Sequence, residues 1–236
     1  MRRIVAALLV ALSTAGAAST GASAQASDTA TPLVVIDPGH PSETAAGDVL
    51  LNGAREVEIA WSTSLRLRDA LQRAGIRVVM TKSAVRERVT NRRRAEIANE
   101  AGAALLVRLH TDAGQGSGFT LYHPDRQGQV DGVVGPSQAV ITESAHAARV
   151  LHDAMAPLLR GSLRDGGILG DSKTLVGSRQ GALTGSIYST VPAVTIEMVF
   201  LTNADDARFI QSAEGQQAMA DAIARGVIEW TRQTRR

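Results

Sequence analysis

Four residues in this sequence, His40, Glu56, His110 and Glu197, have side chains that together could carry out hydrolysis at a metal. Two imidazoles and one carboxylate make a tripod suited to Zn²⁺ that leaves a position open for water, and the remaining carboxylate is free to act as a base. Such a set hydrolyses amides, because the metal lowers the pKa of its water to about 7 and polarises the carbonyl. No local motif ties the four together. Taken singly, a histidine after a strand is an ordinary hydrogen-bonding residue, and a glutamate in the first turn of a helix simply suits the helix dipole. The set acquires chemical meaning only if the fold brings its members to one edge of a sheet. Cysteine is absent, which excludes thiolate ligands and leaves His, Asp and Glu.

The elements predicted around these residues do place them at such an edge. Leu33-Val34-Val35-Ile36 is an unbroken apolar run, as expected of a strand buried on both faces, and His40 follows it. Residues 41–55, rich in Gly, Ala, Pro and Ser, read as a loop. Glu56 then opens a helix in which Ala60, Ser64, Leu67, Leu71 and Ala74 repeat at helical spacing and Gly75 closes. Further strands are expected at Arg77–Thr81, Ala104–Leu109, Phe119–Tyr122 and Ala193–Ile196, with His110 and Glu197 directly after two of them. Helices are expected at 90–101, at 138–160 with Pro157 placed to end it early, and at 215–233. The stretch 161–186 reads as Gly-rich loop around a short strand at Leu175-Val176. Alternating strands and helices indicate an α/β fold in three layers, a mainly parallel sheet flanked by helices. Ligands of such sheets gather beyond the carboxyl ends of the strands, where all four residues fall.

Composition narrows the setting. Arg2 and Arg3, the apolar run Ile4–Leu12 and the Ala22-Ser23-Ala24 cleavage pattern read as a signal peptide over residues 1–24. Export to the periplasm or the medium follows, with no membrane anchor after cleavage. Residues 25–32 read as a short tether and 33–236 as a single catalytic domain. Removing the two leader arginines brings the basic residues level with the 23 acids, so a neutral mature chain gives no reason to expect a nucleic acid or anionic lipid partner. Aromatic residues are only 3% of the chain, too few for a sugar-binding module of stacked rings.

The sequence also resembles the zinc N-acetylmuramoyl-L-alanine amidases of the type 3 family over about residues 33–232. The resemblance rests on Val35-Ile36-Asp37-Pro38-Gly39-His40, Gly53-Ala54-Arg55-Glu56, Arg94-Ala95-Glu96-Ile97-Ala98-Asn99, Leu109-His110-Thr111-Asp112, Ser117-Gly118-Phe119 and the run from Val191 to Asn203, in that order. It implies a phosphorylase/hydrolase-like α/β fold, with His40, Glu56 and His110 as zinc ligands and Glu197 as the catalytic carboxylate. It also implies a peptidoglycan substrate, cut at the amide joining N-acetylmuramic acid to L-alanine. Pro41-Ser42, Asp112, Val199 and Arg108 depart from the family's usual residues and bear on the shape of the substrate groove.

Two other readings accompany this one. His40-Pro41-Ser42-Glu43, with His110, resembles the ligand set of zinc carboxypeptidases, which would make Glu43 the carboxylate ligand and the protein a peptidase. The other is a non-catalytic wall-binding homologue, a reading weakened because all four chemical positions hold competent residues. His123 is a candidate to line the cleft; His146 and His152 read as ordinary helix residues. Asp37 is a candidate either to orient a ligand or to form a turn, and of Arg92, Arg93 and Arg94 one is expected to be buried against an acid. Only about 15 residues separate strand 119–122 from the next helix, little room for a blocking helix, so the site is expected to be open. No protein activator is legible.

Overall fold

The structure, a computed structural model, describes residues 31–43 and 47–234. The expected signal peptide and nearly all of the tether lie outside them. In chain order the strands and helices are β1 (Leu33–Pro38), β2 (Leu50–Leu51), β3 (Ala54–Arg55), α1 (Glu56–Arg73), β4 (Arg77–Met80), α2 (Asn91–Glu100), β5 (Leu105–Asp112) and β6 (Phe119–His123). They continue with β7 (Gly128–Val130), β8 (Val133–Gly135), α3 (Gln138–Leu159), β9 (Asp165–Gly170), α4 (Gly177–Gln180), α5 (Thr184–Tyr188), β10 (Ala193–Phe200), α6 (Ala204–Gln211) and α7 (Ala213–Gln233).

The main sheet runs β4-β1-β5-β10-β6-β9, and β10 against β6 is its antiparallel pair. The three-layer, mainly parallel arrangement expected from the alternation is therefore present. Alternation along each strand divides the two faces. Val34, Ile36, Leu105, Val107, Leu109, Val194, Ile196 and Met198 enter one large core with residues of α1, α3 and α7. Val35, Leu106 and Ala193 face the other way onto a small cluster with Ala98 of α2. By the same period of two, Asp37, Arg108, His110 and Glu197 share that second, thinly covered face. The thick helical layer supplies most of the buried apolar area, and the thin one leaves room for chemistry.

Several elements differ from the expectations. β5 and β10 run on past Leu109 and Ile196, so His110 and Glu197 lie within the last turns of the pleat rather than after it. Residues 41–55 include the small hairpin β2–β3. Pro157 sits inside α3 without ending it; buried Met155 and Leu159 hold the last turn on the core. Leu175-Val176 is not a strand: the stretch 161–186 instead contains β9, a 3-10 turn at Asp171–Lys173, and the short helices α4 and α5. β9 has no alternating apolar signal because it needs glycine. A Cβ on Gly166 would lie 2.2 Å from Thr120 Oγ1, so only glycine lets the two strands approach there. The helix α6 adds a layer element before α7, capped by Asn203, whose side chain accepts from the N–H groups of Asp205 and Asp206.

Candidate active site

Glycines and a buried ion network fix the loop after β1. The Gly39 N–H donates to Leu109 O at 2.8 Å, and a Cβ on Gly39 would lie 2.7 Å from the His110 ring. Gly47 likewise leaves space for the His40 ring, which a Cβ there would meet at 2.4 Å. His40 itself has φ +49°, a conformation that costs an L-residue roughly 1–2 kcal/mol and that the surroundings must hold. Much of that hold comes from Arg94, fully buried in α2. Its guanidinium donates to Pro38 O (2.6 Å), Pro41 O (2.9 Å) and Val89 O (2.9 Å), and pairs with Asp37. Asp37 also accepts from Arg108 Nε at 2.8 Å and Thr81 Oγ1 at 2.6 Å. Burial alone would raise the Asp37 pKa, but the two guanidiniums hold it well below the usual carboxylate range. Asp37 therefore anchors the loop through arginines and neither touches a cluster side chain nor serves as a simple turn residue. Arg94 is the buried arginine of the run.

α1 runs back along β1 and β5, so its first residue, Glu56, stands at the carboxyl edge of the sheet. The Glu56 carboxylate meets His110 Nδ1 at 2.9 Å, His40 Nε2 at 3.5 Å and the Thr111 N–H at 3.2 Å. The two imidazole rings meet edge to face with centroids 5.3 Å apart. One donor atom from each of His40, Glu56 and His110 lies within 4.8 Å of the others. For comparison, ligand atoms about 2.0 Å from a tetrahedral metal sit about 3.3 Å apart. Burial, reinforced by His110, Arg94 and Arg108, lowers the His40 pKa to about 4 despite Glu56, so this ring is neutral at pH 7 and has a lone pair to offer. Burial would raise Glu56, but the hydrogen bond and charge of His110, with His40, keep it lowered and ionised.

Glu197 pairs in register with His110 on the neighbouring strand. It is half-buried, and its enclosed Oε2 has no hydrogen-bond partner, as is also true of His40 Nδ1 and His110 Nε2. Burial, and then the charges of Glu56 and Asp112, push its pKa well up. The cluster opens into a cleft of about 650 Å³ whose walls include Val49, Leu51, Tyr122, Lys173, Leu175 and Val176.

Sequence reasoning brought together the four residues that meet here. Glu43 lies apart: its carboxylate accepts from Asn91 N (2.7 Å) and Asn91 Nδ2 (2.8 Å) at the start of α2. His123 is not among the lining residues and contacts Pro124 O, and His152 pairs with Asp165 away from the site. Arg108, expected to shape the groove, turns instead to Asp37 and to Asn91 Oδ1, against Gly185, where a Cβ would lie 2.7 Å from the guanidinium. Val199 is buried in the core, whereas Asp112 does line the cleft. Tyr122, a half-buried residue of β6, and Lys173, Leu175 and Val176 were not anticipated; the last three are exposed residues of the turn before α4 and carry no periodic signal.

Residues 34–229 match the N-acetylmuramoyl-L-alanine amidase family. Among characterised proteins, the chain is 28% identical to an N-acetylmuramoyl-L-alanine amidase of Escherichia coli over 84% of this chain and 75% of that one. It is also 28% identical to an amidase of the same name from Mycobacterium tuberculosis, over 87% and 89%. Of solved structures, an N-acetylmuramyl-L-alanine amidase of Mycobacterium smegmatis superimposes with TM-score 0.69 at 24% identity, covering 86% of this chain and 97% of that one. The catalytic domain of an amidase from Bacillus (Paenibacillus) polymyxa gives 0.68 at 23%, covering 86% and 99%.

Proposed function

We propose, from the premise that this chain belongs to the N-acetylmuramoyl-L-alanine amidase family, that it is a zinc-dependent peptidoglycan hydrolase. The bond cut joins the lactyl carbonyl of N-acetylmuramic acid to the nitrogen of L-alanine. The observation that carries this reading is the convergence of His40, Glu56 and His110 within 4.8 Å, with Glu197 beside them in register. The donor set suits zinc: a neutral imidazole, a second imidazole and an ionised carboxylate, all oriented in advance, with ring and carboxyl atoms left without partners.

His40, Glu56 and His110 would hold the ion, which when bound polarises the amide carbonyl and makes water acidic enough to attack at neutral pH. Glu197 takes the proton of the attacking water and returns it to the departing amine, splitting the amide without leaving charge on the nitrogen. A carboxyl kept easy to protonate by burial suits that shuttle. Tyr122 and the apolar residues Val49, Leu51, Leu175 and Val176 would flank the substrate in the cleft. The segment 124–137 folds into the hairpin β7–β8, packs on α4 and α5, and contributes no wall to the cleft, which supports an open site. The substrate lies outside the cytoplasm, in keeping with an exported enzyme carrying a cleavable leader. Among the described residues no helix is long and apolar enough to cross a membrane.

Dye release from labelled peptidoglycan tests the reading together with metal content. Chelation should abolish release and zinc should restore it. His40→Ala and His110→Ala should each lose bound zinc, and Glu56→Ala should lose much more than Glu43→Ala, because only Glu56 meets both rings. Zinc lost from Glu43→Ala but kept by Glu56→Ala would overturn the ligand assignment and favour the peptidase.

A further inference from the structure

One wall of the cleft is a turn pinned on both sides of one cation. The buried Asp171 accepts from the Leu183 N–H at 3.1 Å through Oδ2. Ser172 donates to Asp125 twice, from N at 3.0 Å and from Oγ at 2.7 Å. Thr174 Oγ1 donates to Asp171 O at 2.8 Å and accepts from the Gly177 N–H at 2.9 Å. Between these anchors the exposed Lys173 side chain lines the cleft, next to Leu175 and Val176, which are 73% and 44% exposed. Among the described residues lining the cleft, Lys173 is the one lysine or arginine, whereas the floor holds Glu56, Asp112 and Glu197. Lys173 takes part in none of the ion pairs formed among the described residues.

A lone cation on a rigid turn, flanked by exposed apolar side chains and left without an internal partner, is arranged for an anionic group of the ligand. This step rests on the amidase reading, which says where that anion must be. The carboxyl of muramic acid is consumed in the scissile amide and the neighbouring sugar is uncharged, so free carboxylates enter the cleft only on the peptide side. We propose that Lys173 is a specificity-determining residue: its ammonium pairs with the free carboxylate of the acidic residue after L-alanine, and Leu175 and Val176 pack against the stem. The contact is made equally in the ground state and the transition state, so it acts through KM and leaves kcat nearly unchanged.

The test compares two soluble muramyl peptides that differ only in whether that second residue carries a free carboxylate or a carboxamide. The zinc-loaded full chain should favour the carboxylate about fivefold in kcat/KM, the scale of a partly solvated ion pair, and the preference should shrink at high salt. Lys173→Met should cleave both peptides equally at the wild-type kcat, and Lys173→Glu should reverse the preference. Equal cleavage of the two peptides by the wild type, or an undiminished preference in Lys173→Met, would overturn the proposal while leaving the amidase reading standing. Cleavage of neither peptide at the muramyl amide would overturn that reading and this one with it.

Discussion

Glu56 and Glu197 bear the same carboxyl group into one cleft, yet their surroundings drive them in opposite directions. Two imidazoles and the Thr111 N–H hold Glu56 ionised, the state a metal ligand needs. Glu197 has an enclosed oxygen with no donor, and the nearby acids make its charge costly. Divergent environments of this kind separate a ligand from a proton carrier. Glu197→Gln fills the same space but neither accepts nor returns a proton. It should keep one zinc per chain and its melting temperature while losing about 10²–10⁴ in turnover, read by metal analysis, thermal melting and dye release. Loss of zinc with the substitution would make Glu197 a fourth ligand instead, and near-normal turnover would remove it from the proton path.

At the scale of elements, the loop that carries His40 depends on α2 through Arg94 and Asp37. Two guanidiniums converge on one buried carboxylate, so Asp37→Asn leaves them without a counter-charge and should cost about 3–5 kcal/mol. The folded pKa of Asp37 lies below its unfolded value of about 3.9. Its contribution is thus fully present above about pH 5 and is lost as pH falls through the folded value. Melting scans from pH 7 to pH 2 should show a lower midpoint for Asp37→Asn at neutral pH and a shallower acid limb than the wild type; matching curves would refute the role given to this network. Parts of this scale were legible in the sequence. Apolar runs such as Leu33–Ile36 and Leu105–Leu109 announce central strands, and the Glu56–Arg73 helix follows its period. β9 was hidden because backbone approach at Gly166 replaces apolar alternation, and the β7–β8 hairpin because its strands have three residues each. The Asp37 network escaped because the partners of Asp37 come from α2, from β5 and from Thr81 after β4, distant in sequence; the singling out of Asp37 and the expectation of one buried arginine pointed to it without joining the two.

For the whole molecule, the sheet puts a thick helical core on one face and a thin layer on the other, and the side chains of the candidate site occupy the thin side where it meets the carboxyl edge. The convergence of the four candidate residues was legible because that edge is a property of the topology, whereas most of the cleft wall depends on loops whose positions follow from packing alone. The cleft is open, with apolar rims at Val49 and Leu175 and acids on its floor, and so is suited to a strand-like polymer laid across it. The most direct measurement is the mass of the fragments released from intact peptidoglycan by the zinc-loaded enzyme. Free stems that begin with L-alanine, together with glycan strands bearing an unsubstituted lactyl carboxyl, are the predicted products. Stems shortened from within while still attached to the glycan, or no soluble fragments at all, would contradict the account.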